Sequence, residues 1–125
     1  MALENCELVA FAATTRPDKA RAFYCDLLGL RLEEDTPFAL VVRAPNASLR
    51  IQKAQHFSPL PFTALGWKVD DVAATARQLV RKGVMFERFE GMSQDDLGIW
   101  ISPGGAKVCW FKDPDGNVLS LTQFS

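Results

Sequence analysis

Histidine is almost missing from this chain: His56 is the single one in 125 residues. A two-histidine–carboxylate metal triad cannot be assembled from one histidine. A nucleophilic thiol would likewise lack an obvious activating base. Cysteine is scarce and odd in number. Cys6, Cys25 and Cys109 show no paired spacing, which argues against a disulfide framework or a zinc site; Cys25 and Cys109, the candidate nucleophiles, read as inert, buried thiols. No apolar run approaches the roughly 18 residues needed to cross a bilayer, so no membrane partner is expected. Charge of neither sign dominates. The net charge is −1, with Lys and Arg interleaved among Asp and Glu, and no basic stripe points to nucleic acid. Met1-Ala2-Leu3-Glu4-Asn5 lacks the basic and apolar regions of a signal peptide, which predicts a cytoplasmic protein.

What is present is an ordinary globular composition, 48% hydrophobic and 23% charged, read as one domain over residues 1–125. Cys6 to Ala13 reads as an apolar strand, and Pro17 opens a helix. That helix buries Ala20, Phe23, Tyr24, Leu27 and Leu28 at i, i+3, i+4, i+7 spacing, and Gly29 stops it. Strands follow near 30–34, 38–43 and 48–54, the last two joined by Ala44-Pro45-Asn46. Gln55 to Pro61, with two prolines, reads as a linker. The second half repeats the first. Residues 63–69 form a strand, and Asp70 or Asp71 caps a helix burying Val72, Ala76, Leu79 and Val80, closed by Gly83. Strands near 84–89, 98–102 and 107–111 lead to a last one at 117–122. The order βαβββ thus occurs twice, the second time with one strand more, in modules of about 6–54 and 62–124, offset by about 55 positions at the helices.

The ending Trp110-Phe111-Lys112-Asp113-Pro114-Asp115-Gly116-Asn117 reads as a hairpin whose turn chemistry is explicit. Proline presets φ, Asp and Asn bond back to the backbone, and Gly supplies positive φ. An aromatic-x-x-Asp-Pro-Asp-Gly hairpin of this kind resembles the usual ending of the vicinal oxygen chelate superfamily, the glyoxalase / bleomycin-resistance / dioxygenase group. Phe23-Tyr24 with Leu27-Leu28-Gly29-Leu30 resembles its first helix. Leu65-Gly66-Trp67-Lys68-Val69-Asp70-Asp71-Val72 resembles the start of its second module. The resemblance covers residues 6 to 124. It implies an α+β fold of two βαβββ modules forming an open half-barrel around a ligand cavity, with a helix behind each sheet. It also implies a homodimer.

In metal-binding relatives four facing strand positions carry the ligands. Here the resemblance puts them at Val9, Arg50, Ala64 and Ser120. Valine and alanine carry no donor, arginine stays cationic, and serine is a poor ligand, so no metal and no cofactor are expected. Strand alternation places Val9, Phe11 and Ala13 on the cavity face of the first strand, and Ala64, Gly66 and Lys68 on that of the fifth. Trp67 then lies behind the sheet. Trp110 and Phe11 are the expected walls, Arg50 and Gln52 the polar anchors, with Lys68 and Ser120 beside them. Arg50 either meets an anionic ligand or pairs with Glu7, Glu33 or another acid. The stretch 91–98 has the composition of a mobile loop, and its Asp95 and Asp96 read as solvated or as acting as acid or base. Gly104-Gly105 is a hairpin turn. The expected function is metal-independent binding of a small organic acid or other oxyanion. A glyoxalase-type lyase or isomerase with an atypical site stays open beside it.

Overall fold

Alternation of large apolar and polar residues sets the first sheet. The computed structural model describes residues 2–125. In its first half β1 (Leu8–Thr14) is followed by α1 (Pro17–Arg21), which runs on into a π-helical turn, Ala22–Leu27. The Leu28 N–H donates to the Phe23 carbonyl (2.9 Å), and Gly29 then leaves the helix at φ +78°. β2 (Arg31–Asp35), β3 (Ala39–Ala44) and β4 (Ala47–Lys53) complete a sheet of order β1-β4-β3-β2, with β1 parallel to β4. A two-residue Pro45-Asn46 turn joins β3 to β4. Leu40, Val42, Leu49 and Ile51 project to one side. They are buried, as are Ala20 and Tyr24 of the helical segment, and together they make this module's core. Asp35 accepts hydrogen bonds from Lys53 Nζ (2.6 Å) and Arg21 Nη1 (3.2 Å), joining β2, β4 and α1.

The second half follows the same plan. β5 (Thr63–Lys68), α2 (Val72–Arg81), β6 (Trp100–Ile101), β7 (Lys107–Lys112) and β8 (Val118–Gln123) give the order β5-β8-β7-β6, with β5 parallel to β8. Asp71 caps α2, its carboxylate accepting from the Ala74 N–H (3.0 Å), while Gln123 Oε1 accepts from the Val72 N–H (3.0 Å). Val72, Ala76 and Leu79 are buried where α2 packs on β7 and β8. The chain divides into two compact units, Met1–Ser58 and Pro59–Ser125.

Three expectations need correction. No strand forms at 84–89, where Phe86 makes a lone antiparallel bridge to Phe111. Most of that stretch is held by other means, and without it the second module has the same βαβββ order as the first. Val80 is not part of the buried face of α2: it is 48% exposed, one step round the helix from buried Leu79. The strand expected over 98–102 contracts to two residues, since Gly98 at φ +83° breaks its start and the Gly104-Gly105 turn its end.

The Asp113–Asn117 turn is as its residues predict. Asp113 is buried. Its Oδ1 accepts from the Asp115 and Asn117 N–H groups (both 2.9 Å) and its Oδ2 from Asn117 Nδ2 (2.8 Å). Gly116 sits at φ +91°.

Candidate functional site

Because Leu49 and Ile51 of β4 face the core, Arg50 and Gln52 face the other way. Register fixes their neighbours: Arg50 lies between Phe11 of β1 and Val41 of β3, and Gln52 between Ala13 and Ala39. Phe11 is 55% exposed, so its ring remains open beside the half-buried Arg50. Glu7 and Glu33 do not pair with Arg50. Both are taken by Arg43, at 2.8 Å (Nη1 to Glu7) and 3.6 Å (Nε to Glu33). Among the described residues Arg50 has no hydrogen-bond or ion-pair partner.

The second sheet presents a different surface. One row across it is Gly66, Ser120 and Trp110; the next begins at Lys68 and passes through Thr122 and Val108 to Trp100. Trp110 is the centre of an aromatic cluster. Phe89 meets it edge-on, with centroids 5.3 Å apart at 87°, and Trp100 lies 6.2 Å away, tilted by 38°. Its indole Nε1–H donates to Thr63 Oγ1 (3.1 Å). Trp67 is on the opposite side, in register with Leu121 and Cys109. Ser120 is only 8% exposed and lies against Gly66: a methyl added there would stand 2.5 Å from Ser120 Oγ. Strand β5 slips by one residue between Thr63 and Leu65, leaving Ala64 without a partner in β8. Ala64 is therefore not the in-register position expected, and Thr63 takes a place on the face of Trp110.

Phe89, Trp100 and Thr63 are the residues sequence reasoning missed. The signal available was the aromatic spacing around β7, which only becomes a cluster once β6 pairs with Val108.

The 91–98 stretch is tied by its own side chains. Gln94 Oε1 accepts from the Phe89 N–H (2.8 Å), and its Nε2 donates to the carbonyls of Glu87 (3.0 Å) and Gly98 (2.8 Å). Asp95 Oδ1 accepts from the Leu97 and Ile99 N–H groups (2.9 Å each), so this carboxylate serves the turn. Near it, at the start of α2, an open hollow of about 680 Å³ is edged by Asp70, Asp71, Asp95 and Lys107. Two of its three acids are already engaged in capping and turn bonds. It lies away from the tryptophan-rich face except at Trp100.

The thiols differ. Cys109 is buried, and desolvation, with the charge of Asp95 adding to it, pushes its pKa up to about 12. Burial also raises that of half-buried Cys25, against the opposing charge of Arg21. Cys109 is buried as expected, Cys25 only half so, and Cys6 is exposed.

The chain matches the model of the Glyoxalase/Bleomycin resistance protein/Dioxygenase superfamily over residues 8–121. It belongs to that superfamily. No curated protein matches it. Among solved structures, an antibiotic binding protein, TnmS3 from Streptomyces sp. CB03234, is 27% identical with a TM-score of 0.73, covering 100% of this chain and 99% of that one. Lactoylglutathione lyase from Agrobacterium tumefaciens is 17% identical with a TM-score of 0.75, covering 97% and 95%. A superfamily member from Alicyclobacillus acidocaldarius is 18% identical with a TM-score of 0.70, covering 99% and 95%. These last two likenesses are of fold.

The metal that some superfamily members carry does not fit the residues present. Val9 offers no donor atom, Arg50 offers a cation, and Ser120 a neutral hydroxyl packed on Gly66; Thr63, in the place expected of Ala64, has a neutral hydroxyl that already accepts from the Trp110 indole. Among the described residues no three His, Cys, Asp or Glu side chains gather as a metal site would require. No helix among them is long and apolar enough to cross a membrane.

Proposed function

We propose that this protein binds a small organic acid or another oxyanion, without metal, in the manner of the binding members of its superfamily. The observation that carries this reading is the unpaired state of Arg50. A half-buried guanidinium on an apolar strand face, next to an open phenylalanine, is costly unless an anion meets it. The two acids best placed to neutralise that face are instead held by Arg43. In the first module Arg50 and Gln52 are the polar anchors and Phe11 the apolar contact. In the second, Trp110 offers apolar surface and Lys68 and Ser120 polar groups. The antibiotic-binding neighbour supports binding over turnover.

The test is a thermal-shift screen against organic acids and their neutral analogues, in chelator and then with added divalent metals. Stabilisation by acids in chelator is the expected result. Stabilisation that requires metal, or that ignores the acid group, would refute the reading.

We further propose a cytoplasmic homodimer, not bound to nucleic acid or membrane. Free thiols suit a reducing compartment. Each four-stranded sheet ends in edge strands, which a second copy can cover. Sedimentation equilibrium at micromolar concentration should give the dimer mass; a monomer would contradict it.

A further inference from the structure

We propose that the second module selects a planar aromatic group in its ligand, and that Thr63 is the positioning residue for the stacking surface, Trp110. This inference rests on the reading of the protein as a binder of organic anions and adds the shape of the ligand.

Aromatic rings meet the tryptophan cluster by their faces and edges. The indole N–H of Trp110 is already spent on Thr63 Oγ1 at 3.1 Å. Trp110 therefore has no donor left for a ligand, and what it offers is π surface. The hydrogen bond also fixes the ring's rotation, and Phe89 blocks it edge-on at 5.3 Å. Trp100, tilted by 38° at 6.2 Å, adds a second inclined ring. A wall of rings held this way presents flat surface whose orientation is set before any ligand arrives, which lowers the ordering cost of stacking.

Charge on the same face favours an anion. Register puts no Asp or Glu among the residues of β5, β7 and β8 that share it. Lys112 is paired with Glu87 at 3.6 Å, whereas Lys68 has no hydrogen-bond or ion-pair partner among the described residues. Lys68 on β5 and Trp110 on β7 are two strand spacings apart, roughly 10 Å between backbones. A lysine side chain spans much of that. The occupant that matches is one or two fused aromatic rings carrying a single anionic group.

The experiment uses three probes of one size: 2-naphthoate, its saturated analogue decahydro-2-naphthoate, and the neutral 2-naphthalenemethanol. Calorimetric titration of the intact protein should show 2-naphthoate binding about tenfold more tightly than the saturated acid, the scale of a stacked aromatic contact. The Trp110 indole N–H resonance should move only with the aromatic probes. Thr63→Val keeps shape but removes the acceptor. It should weaken 2-naphthoate several-fold, shift that resonance in the free protein, and leave the saturated acid unchanged. Lys68→Met should weaken 2-naphthoate and leave 2-naphthalenemethanol unchanged. Should Trp110→Leu fail to fold, Thr63→Val and Phe89→Leu still decide the matter. Equal affinity for the aromatic and saturated acids would overturn this inference and leave the oxyanion reading standing. Binding of neither acid would overturn both.

Discussion

Replacing Arg50 by methionine exchanges a cation for an apolar chain of similar length on the open face of β4. No ion pair or hydrogen bond among the described residues is lost with it. Its neighbours in register are Phe11 and Val41, both of which tolerate a thioether. Stability should therefore stay within about 0.5 kcal/mol of the parent. Binding should not. A hydrogen bond to a charged group contributes about 1.5–3 kcal/mol, so organic acids should bind roughly ten- to 150-fold more weakly. Arg50→Lys should recover part of this, because the charge returns without the planar fork. Arg43→Met is the complementary test. It removes two exposed pairs with little change in stability, but frees Glu7 and Glu33 to meet Arg50, and so should also weaken the binding of acids. Calorimetric titration of an acid found by the thermal screen, with melts of each variant, measures both sides. A folded Arg50→Met protein that binds the acid as tightly as its parent would refute the assignment of Arg50.

Other expectations follow from single contacts. Cys109 ionises near 12 in the folded chain against an ordinary 9.0, so the folded state holds the proton longer. Its contribution is complete below about pH 9 and is lost as pH rises toward 12; urea melts should show this alkaline slope, and Cys109→Ala should lack it. A thiol reagent should modify exposed Cys6 at once and Cys109 only after unfolding. Gly66→Ala, with its methyl 2.5 Å from Ser120 Oγ, should destabilise by about 1–3 kcal/mol. Adding Ser120→Ala should restore most of that, since the next contact is an ordinary 3.5 Å; strictly additive costs would contradict it. Asp113→Ala should cost about 2–3 kcal/mol in chemical denaturation, because two backbone N–H groups and the Asn117 amide lose their acceptor.

Much of the architecture was legible because its signals are local. Helical spacing found Ala20 and Tyr24, and period two found Leu49 and Ile51 against Arg50 and Gln52. The turn residues from Asp113 to Asn117 act within five positions. The misleading segment, 84–89, alternates like a strand, with Val84 buried and Met85 exposed. Strand formation needs a partner along its length, and here β7 shares its outer edge between β6 and Phe86. Long-range choices were illegible for the same reason. Glu7 and Glu33 select Arg43 over Arg50 through cross-strand geometry, which no window of sequence contains. The aromatic cluster needed the pairing of Trp100 with Val108 before Phe89, Trp100 and Trp110 became one surface.

The slip at Ala64 has a meaning for how two like modules come to differ. Strand β1 matches β4 residue for residue from Leu8 to Thr14, while β5 matches β8 only after one position is skipped. Such a skip leaves one extra residue unpaired and lets the chain before it keep its side of the sheet. A duplicated half can in this way take up an inserted residue without turning its existing side chains over. Removing Ala64 should restore an unbroken ladder: Thr63 would stand directly before Leu65, keep Val118 as its partner, and still hold the Trp110 indole.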